Sequence, residues 1–369
     1  PTAEQIIEKA SENAVEEVIV LGVMVFGGPY AENAERRIRS RHATLSALGV
    51  LDYVPENAEH LGYIEIRQDE DEGIEERLPE FVPYEWFVPK SESKPKRTIL
   101  LLWLDDDAFH STPLAKIGNL KSKLEGWAKA LCEMAKAPCN TVKALCKIHD
   151  NFKRPKITFK ILGPAGSTNL LAMVNEILSK KESDSRWERL KGVQIFSTSA
   201  TAEDELLLKK SEHDDYTNVT DLFADNLKPV RFLRTIGTDK VLTDALVDEL
   251  ARRGADPRYD KNHIVDDKNH IVLISEWDTF YGRALPRTFI RSVNQGNEEN
   301  KIDSIHQFSY FRGIDGQLPG ASNSDASGAV SSGDKNKDME RKAIERPEGR
   351  RQFDYLRRLA TKVERLNEE

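Results

Sequence analysis

Three stretches of this chain are apolar almost without a break: residues 18–26, 98–104 and 271–275. A strand with one wet face alternates polar and apolar side chains. An unbroken apolar run of this length instead predicts a strand buried on both faces, the habit of parallel sheets. Residues 157–162 and 193–196 read as two more strands, and 230–235 and 302–312 add two further strand candidates. Between the strands, apolar residues recur at helical spacing. Ala34, Ile38, Leu45 and Leu48 follow the first run. Leu170, Leu171, Val174, Ile177 and Leu178 follow 157–162, and Val241, Leu242, Ala245, Leu246 and Leu250 follow Gly237-Thr238-Asp239. Strand and helix alternating in this order predict an α/β fold with a mostly parallel sheet. In such folds ligands bind at the carboxyl ends of the strands.

The length of 369 residues allows two domains. The pattern divides into a first α/β unit over 1–230 and a second over 231–369. Residues 2–17 read as a polar helix leading into the first strand. Residues 52–97 carry an acidic run (69–76) and an aromatic, Pro-rich one (81–89), and read as an insertion or lid-like excursion. Residues 114–150 read as a Lys-rich helical region, and 209–228 as a polar excursion. Residues 320–337 are rich in Gly, Ser and Asp, a composition that predicts disorder. Phe353, Leu356, Leu359, Val363 and Leu366 return to helical spacing. One hexapeptide, Asp260 to Val265, is repeated identically as Asp267 to Val272, which reads as a local duplication in a loop; a metal site on the paired His263 and His270 is the alternative.

A net charge of -8 argues against a dedicated binder of nucleic acid or anionic membrane. No run of about 18 apolar residues is present to span a bilayer. No secretory signal peptide is visible, which favours a bacterial cytoplasm and leaves the periplasm open. Cys132, Cys139 and Cys146 lack the spacing of a zinc site and read as neutral thiols in a reduced protein.

The most informative turn is Gly163-Pro164-Ala165-Gly166-Ser167-Thr168. Its glycines permit close backbone approach, and Ser167 and Thr168 open a helix, where N–H groups and hydroxyls can hold an anion. It lacks the Gly-Lys-Ser/Thr of a Walker loop and the G-x-S-x-G of a nucleophile elbow. An ordinary capped helix is the competing reading. Asp105-Asp106-Asp107 ends the second strand and could bind Mg²⁺ if Glu276 or Asp278 joined it. Strand-end acids that cap the next segment or face water are the simpler account. His110 and Ser111 lie nearby, but nothing marks a nucleophile–base pair. The chain therefore reads as a non-enzyme with no catalytic residues, no metal and no cofactor.

Several stretches together resemble the type I periplasmic-binding-protein fold, especially the branched-chain amino-acid binding proteins and related receptor ligand-binding domains. Val20 to Gly28, with Pro29 and Tyr30, resembles the family's first strand and turn. Leu100 to Asp107 resembles its second strand, and Leu162 to Thr168 its third strand and ligand turn. Ser199-Ala200-Thr201-Ala202 with Glu205 and Leu206 is similar to its AATA-x-EL stretch. Phe232 to Asp239 is similar to the LRT-x-G-x-D crossing between lobes, and Ile271 to Gly282 to its Y-G strand and turn. The resemblance implies two Rossmann-like lobes, with insertions, that hold a small ligand between them. It implies that Ser167 and Thr168 bind the ligand's acidic end, that Ser199 and Thr201 add polar contacts, that Tyr281 closes from the second lobe, and that Tyr30 contributes. In the family another strand follows a helix such as 351–367. None follows here, so the resemblance implies either a fragment of a longer protein or a second lobe completed by another segment or chain.

Three functional readings follow. The first is a sensor domain that binds an amino-acid-like ligand or small acid and signals to a partner or attached effector, in bacterial signalling or defence. The second is a Mg-dependent phosphate-processing enzyme built on Asp105–Asp107. The third is a ligand-free scaffold assembling through the aromatic 81–89 segment.

Overall fold

The computed structural model describes residues 17–28, 31–57, 61–66, 77–91, 97–134, 156–179, 185–208, 216–227, 230–258, 270–276, 279–294, 305–310, 360–361 and 363–364. Tyr30, the acidic run 69–76, Cys139, Cys146, His263, Asp278, segment 320–337 and the apolar repeat of 353–366 except Val363 lie outside the described residues. The chain divides into two compact units, Pro1–Gly237 and Thr238–Glu369.

The first unit is an α/β domain around a mixed, mostly parallel sheet. Its strands are β1 (Glu17–Val25), β2 (Tyr53–Pro55), β3 (Gly62–Glu65), β4 (Phe81–Pro89), β5 (Arg97–Asp105), β6 (Lys156–Leu162), β7 (Gln194–Ser197) and β8 (Arg231–Arg234). The spatial order is β2-β4-β5-β1-β6-β7-β8, with β3 also paired to β4. The five strands β5-β1-β6-β7-β8 are parallel. Taken in chain order they form the doubly wound 2-1-3-4-5 arrangement. Within 52–97, expected as an insertion or lid, β2, β3 and β4 continue the sheet in antiparallel sense at the β5 edge. Residues 231–234, read from the sequence as the start of the second lobe, pair with β7 and finish the first sheet.

In this unit the apolar runs are buried because both sheet faces are covered; the run 271–275 departs from the expectation, since it lies in a two-stranded pair and Ile274 is 51% exposed. Leu45 and Leu48 of α1 (Ala31–Val50) pack with Val23 and Val25 of β1, Ile99 and Leu101 of β5, and Phe87 of β4. On the opposite face lies α2 (Pro113–Met134), whose Lys121 ammonium stands 5.9 Å from the centre of the Phe159 ring. Next to it are α3 (Ser167–Leu178), α4 (Asp204–Leu208) and α5 (Val219–Asn226). The segment 209–228, read as a polar excursion, thus includes a packed helix. Phe223 of α5 stacks on Phe232 of β8 with ring centres 4.3 Å apart. Of the region 114–150 the structure describes the helix to Met134. The α2 N-terminus is capped by Glu176 of α3, whose two carboxylate oxygens accept the Leu114 and Ala115 N–H groups at 2.8 and 2.9 Å.

A polar knot ties the antiparallel edge to the sheet. Glu85 of β4, 5% exposed, accepts from Arg41 of α1 at 3.2 and 3.1 Å and from the Trp103 indole of β5 at 2.9 Å. Glu85→Ala leaves the Trp103 N–H without its acceptor and frees Arg41. The expected cost is about 1–3 kcal/mol, read as a lower urea midpoint with an unchanged slope.

The second unit holds a parallel pair, β9 (Ile271–Glu276) and β10 (Ile305–Tyr310), in register from Ile271↔Ile305 to Glu276↔Tyr310. Ile271, Leu273 and Ile305 face Val247 and Leu250 of α6 (Asp239–Arg252) and Phe289 and Val293 of α7 (Phe280–Val293). The two helices share a buried Thr243–Ser292 hydroxyl hydrogen bond of 2.8 Å. Among the described residues no helix is long and apolar enough to cross a membrane.

Candidate functional site

In a doubly wound sheet the crevice opens where the strand order reverses, here between the carboxyl ends of β1 and β6. Four turns meet at or beside it: 26–28 after β1, 105–110 after β5, 163–168 after β6 and 198–204 after β7.

The β1 turn is held from α1. Asn33 donates to the Gly27 carbonyl at 2.6 Å, and Arg37 to the carbonyls of Phe26 and Gly28 at 2.9 and 3.0 Å. The Arg36 guanidinium lies 4.8 Å from the Phe26 ring centre. Gly28 takes a left-handed φ of 76°. At Gly27 a Cβ would fall 2.1 Å from the Asp105 Oδ1, so only glycine lets that carboxylate approach. Arg36 and Arg37 thus fasten the turn beside the crevice.

Asp105, Asp106 and Asp107 are not equivalent. Asp105 and Asp107 are exposed, and the Asp107 N–H donates to Asp105 Oδ1 at 3.0 Å. Asp106 is 2% exposed. Its N–H donates to the Val25 carbonyl at 2.9 Å, which draws it across the end of β1. Burial pushes its carboxyl up to about 7, and the charges of Asp107 and Asp105 add to the rise. Hydrogen bonds from the Ala165 N–H and the Asn169 side chain pull the other way. Its Oδ1 has no hydrogen-bond partner among the described residues. The expectation that these acids cap the next segment or face water thus fails for the middle one.

Asn169 organises this corner. Its Nδ2 donates to the Asp106 carbonyl at 2.8 Å, and its Oδ1 meets His110 Nδ1. Because Oδ1 can only accept, His110 donates from Nδ1. Neither residue's role was read from the sequence. The available signal was Asn169 falling on the buried stripe of α3 with Met173 and Ile177, a polar residue where an apolar one is expected.

The β6 and β7 turns are laced together. Ser167, 4% exposed, accepts the Ala202 N–H on its Oγ at 3.1 Å, and Ser199 donates its hydroxyl to the Ala165 carbonyl at 2.9 Å. Both hydroxyls therefore already hold the turns in place. Thr168 and Thr201 are half-buried on the same two turns. The residue that precedes α3 is Gly166, which offers no side chain to cap the helix. Arg234 of β8 closes the far side, donating to the Ala202 carbonyl at 3.2 Å and pairing with Asp204 at 3.0 Å.

Four of the expected ligand residues (Ser167, Thr168, Ser199, Thr201) thus share this end of the first unit. Tyr281 belongs to the second unit, where its hydroxyl donates to Asp239 at 3.3 Å. Tyr30 lies outside the described residues. Glu276, expected as a Mg²⁺ partner of Asp105–Asp107, accepts the Thr279 hydroxyl at 3.1 Å within the second unit. Among the described residues no group of three or more His, Cys, Asp or Glu side chains is placed to hold a metal ion. Neither a protein-family model nor a curated protein matches this chain.

Proposed function

We propose that the chain is a non-enzymatic small-ligand sensor of the type I periplasmic-binding-protein kind. It binds an amino-acid-like ligand or small acid at the carboxyl ends of the first unit's parallel strands. The observation that supports this is Asp106, a buried carboxyl at the switch point whose Oδ1 has no partner among the described residues, on the turn beside the α3 N-terminus, where Gly166 offers no capping side chain. An amino-acid-like ligand carries groups complementary to both: an ammonium for Asp105 and Asp106, and a carboxylate for the first turn of α3. Thr168 and Thr201 supply neutral hydroxyls between them. Ser167 and Ser199 hold the turns that present these groups. Occupancy would bias a conformational equilibrium read by a protein partner or an attached effector, in a bacterial signalling or defence setting.

The test is a thermal-shift screen of amino acids and small acids, followed by titration calorimetry. A ligand is expected that raises the melting temperature of the parent chain and binds Asp106→Asn at least tenfold more weakly. Binding at pH 6 is expected to release protons, because a cationic group lowers the Asp106 carboxyl and ionises it. A screen with no stabilising compound, or equal affinity in Asp106→Asn, would sink the proposal.

A further inference from the structure

His270 and His306 stand side by side in the second unit. His270 directly precedes β9, and His306 is the second residue of β10, opposite Val272. The alternation of side chains puts both rings on the sheet face away from Ile271, Leu273 and Ile305, the residues that pack on α6 and α7. His270 Nδ1 lies 2.9 Å from His306 Nε2, and the rings incline by 30° with centres 5.1 Å apart. The repeat in the sequence had suggested His263 and His270 as the paired histidines. The strand pairing brings His270 to His306, while His263 lies outside the described residues.

We propose that His270 Nδ1 and His306 Nε2 form a two-nitrogen site for a divalent transition-metal ion, of the Cu(II) or Ni(II) class. Imidazole suits these metals, and Cu(II) and Ni(II) favour tetragonal geometry. Metal–imidazole bonds are about 2.0–2.1 Å, so two nitrogens at a right angle lie about 2.9 Å apart, and at a tetrahedral angle about 3.4 Å apart. The observed 2.9 Å matches the right angle. The parallel ladder of β9 and β10 holds one ligand and adjoins the other, so little ordering is left for the ion to impose. In the metal-free pair one ring nitrogen donates to the other. Binding needs both lone pairs, so the bridging proton moves to the far nitrogen of its own ring, or to water if that ring is already doubly protonated. Among the described residues no third His, Cys, Asp or Glu completes a cluster, so the site is proposed on these two nitrogens alone.

The experiment titrates Cu(II) and Ni(II) into the full chain carrying no affinity tag, by calorimetry and, for Cu(II), by electron paramagnetic resonance. One ion per chain is expected at this site, with two imidazole nitrogens coupled to Cu(II). His270→Gln and His306→Gln are each expected to lower affinity at least tenfold and remove one nitrogen coupling. His263→Gln is expected to change neither. Circular dichroism of each variant separates lost ligation from lost folding. Folded His270→Gln and His306→Gln variants with parent-like affinity and couplings would overturn the site. So would loss of binding in His263→Gln with none in His306→Gln.

Discussion

Asp106→Asn is expected to stabilise the protein at pH 8 by about 2–4 kcal/mol and to change little at pH 4. The sign follows from the direction of the shift. The Asp106 carboxyl is raised from 3.8 to about 7, chiefly by burial. Between those values the folded state holds a proton that the unfolded chain has released. Stability therefore falls as pH rises through the window and levels off above about 7, where the fold buries a full charge. Asn keeps the shape and never ionises, so the penalty disappears. Urea unfolding of both proteins from pH 4 to pH 8 should give curves that meet at the acid end and diverge towards neutrality. Parallel curves would mean that Asp106 reaches water or an undescribed cation. The same substitution is expected to weaken ligand binding. A variant that gains stability while losing affinity is the pattern of a functional group held at a cost to the fold.

Leu170→Ala is expected to destabilise the first unit by about 2–5 kcal/mol, through lost burial and the cavity left behind. Leu170 is fully buried on α3, next to Asn169 and three residues after Ser167. The expected fall in melting temperature is on the order of 5–15 °C for a unit of this size. Ligand affinity should fall as well, since the helix seats the turn that Ser167 joins to Ala202. A smaller loss, with the slope of unfolding changed, would indicate that α3 repacks.

The strands were legible because burial on both sheet faces leaves a mark that needs no partner to recognise it. Val20 and Leu101 sit in apolar runs and are buried as those runs predict, whereas the run 271–275 leaves Ile274 exposed. The β6 turn was legible for a related reason: a strand ending in glycines and running into a helix must lie at the carboxyl edge of a parallel sheet. The turns carrying Ser167 and Ser199 do lie there, but their hydroxyls spend their hydrogen bonds on each other's loops, and no local pattern reports a bond between residues 35 positions apart. Residues 53–89 looked foreign to the domain because antiparallel pairing at a sheet edge is non-local. Glu85 reads as an ordinary surface acid until Arg41 and Trp103 are seen to converge on it.

The sequence by itself determined the α/β class of the fold and the edge of the first unit's sheet where the polar turns gather. Hydrophobic periodicity is a local consequence of burial and survives in one dimension. Only the tertiary structure decided which of three consecutive aspartates is buried, which polar residue of α3 meets it, and which histidine stands beside His270. Those choices depend on strand order and register, set by the sum of many weak contacts between distant segments, and a single segment holds no record of them.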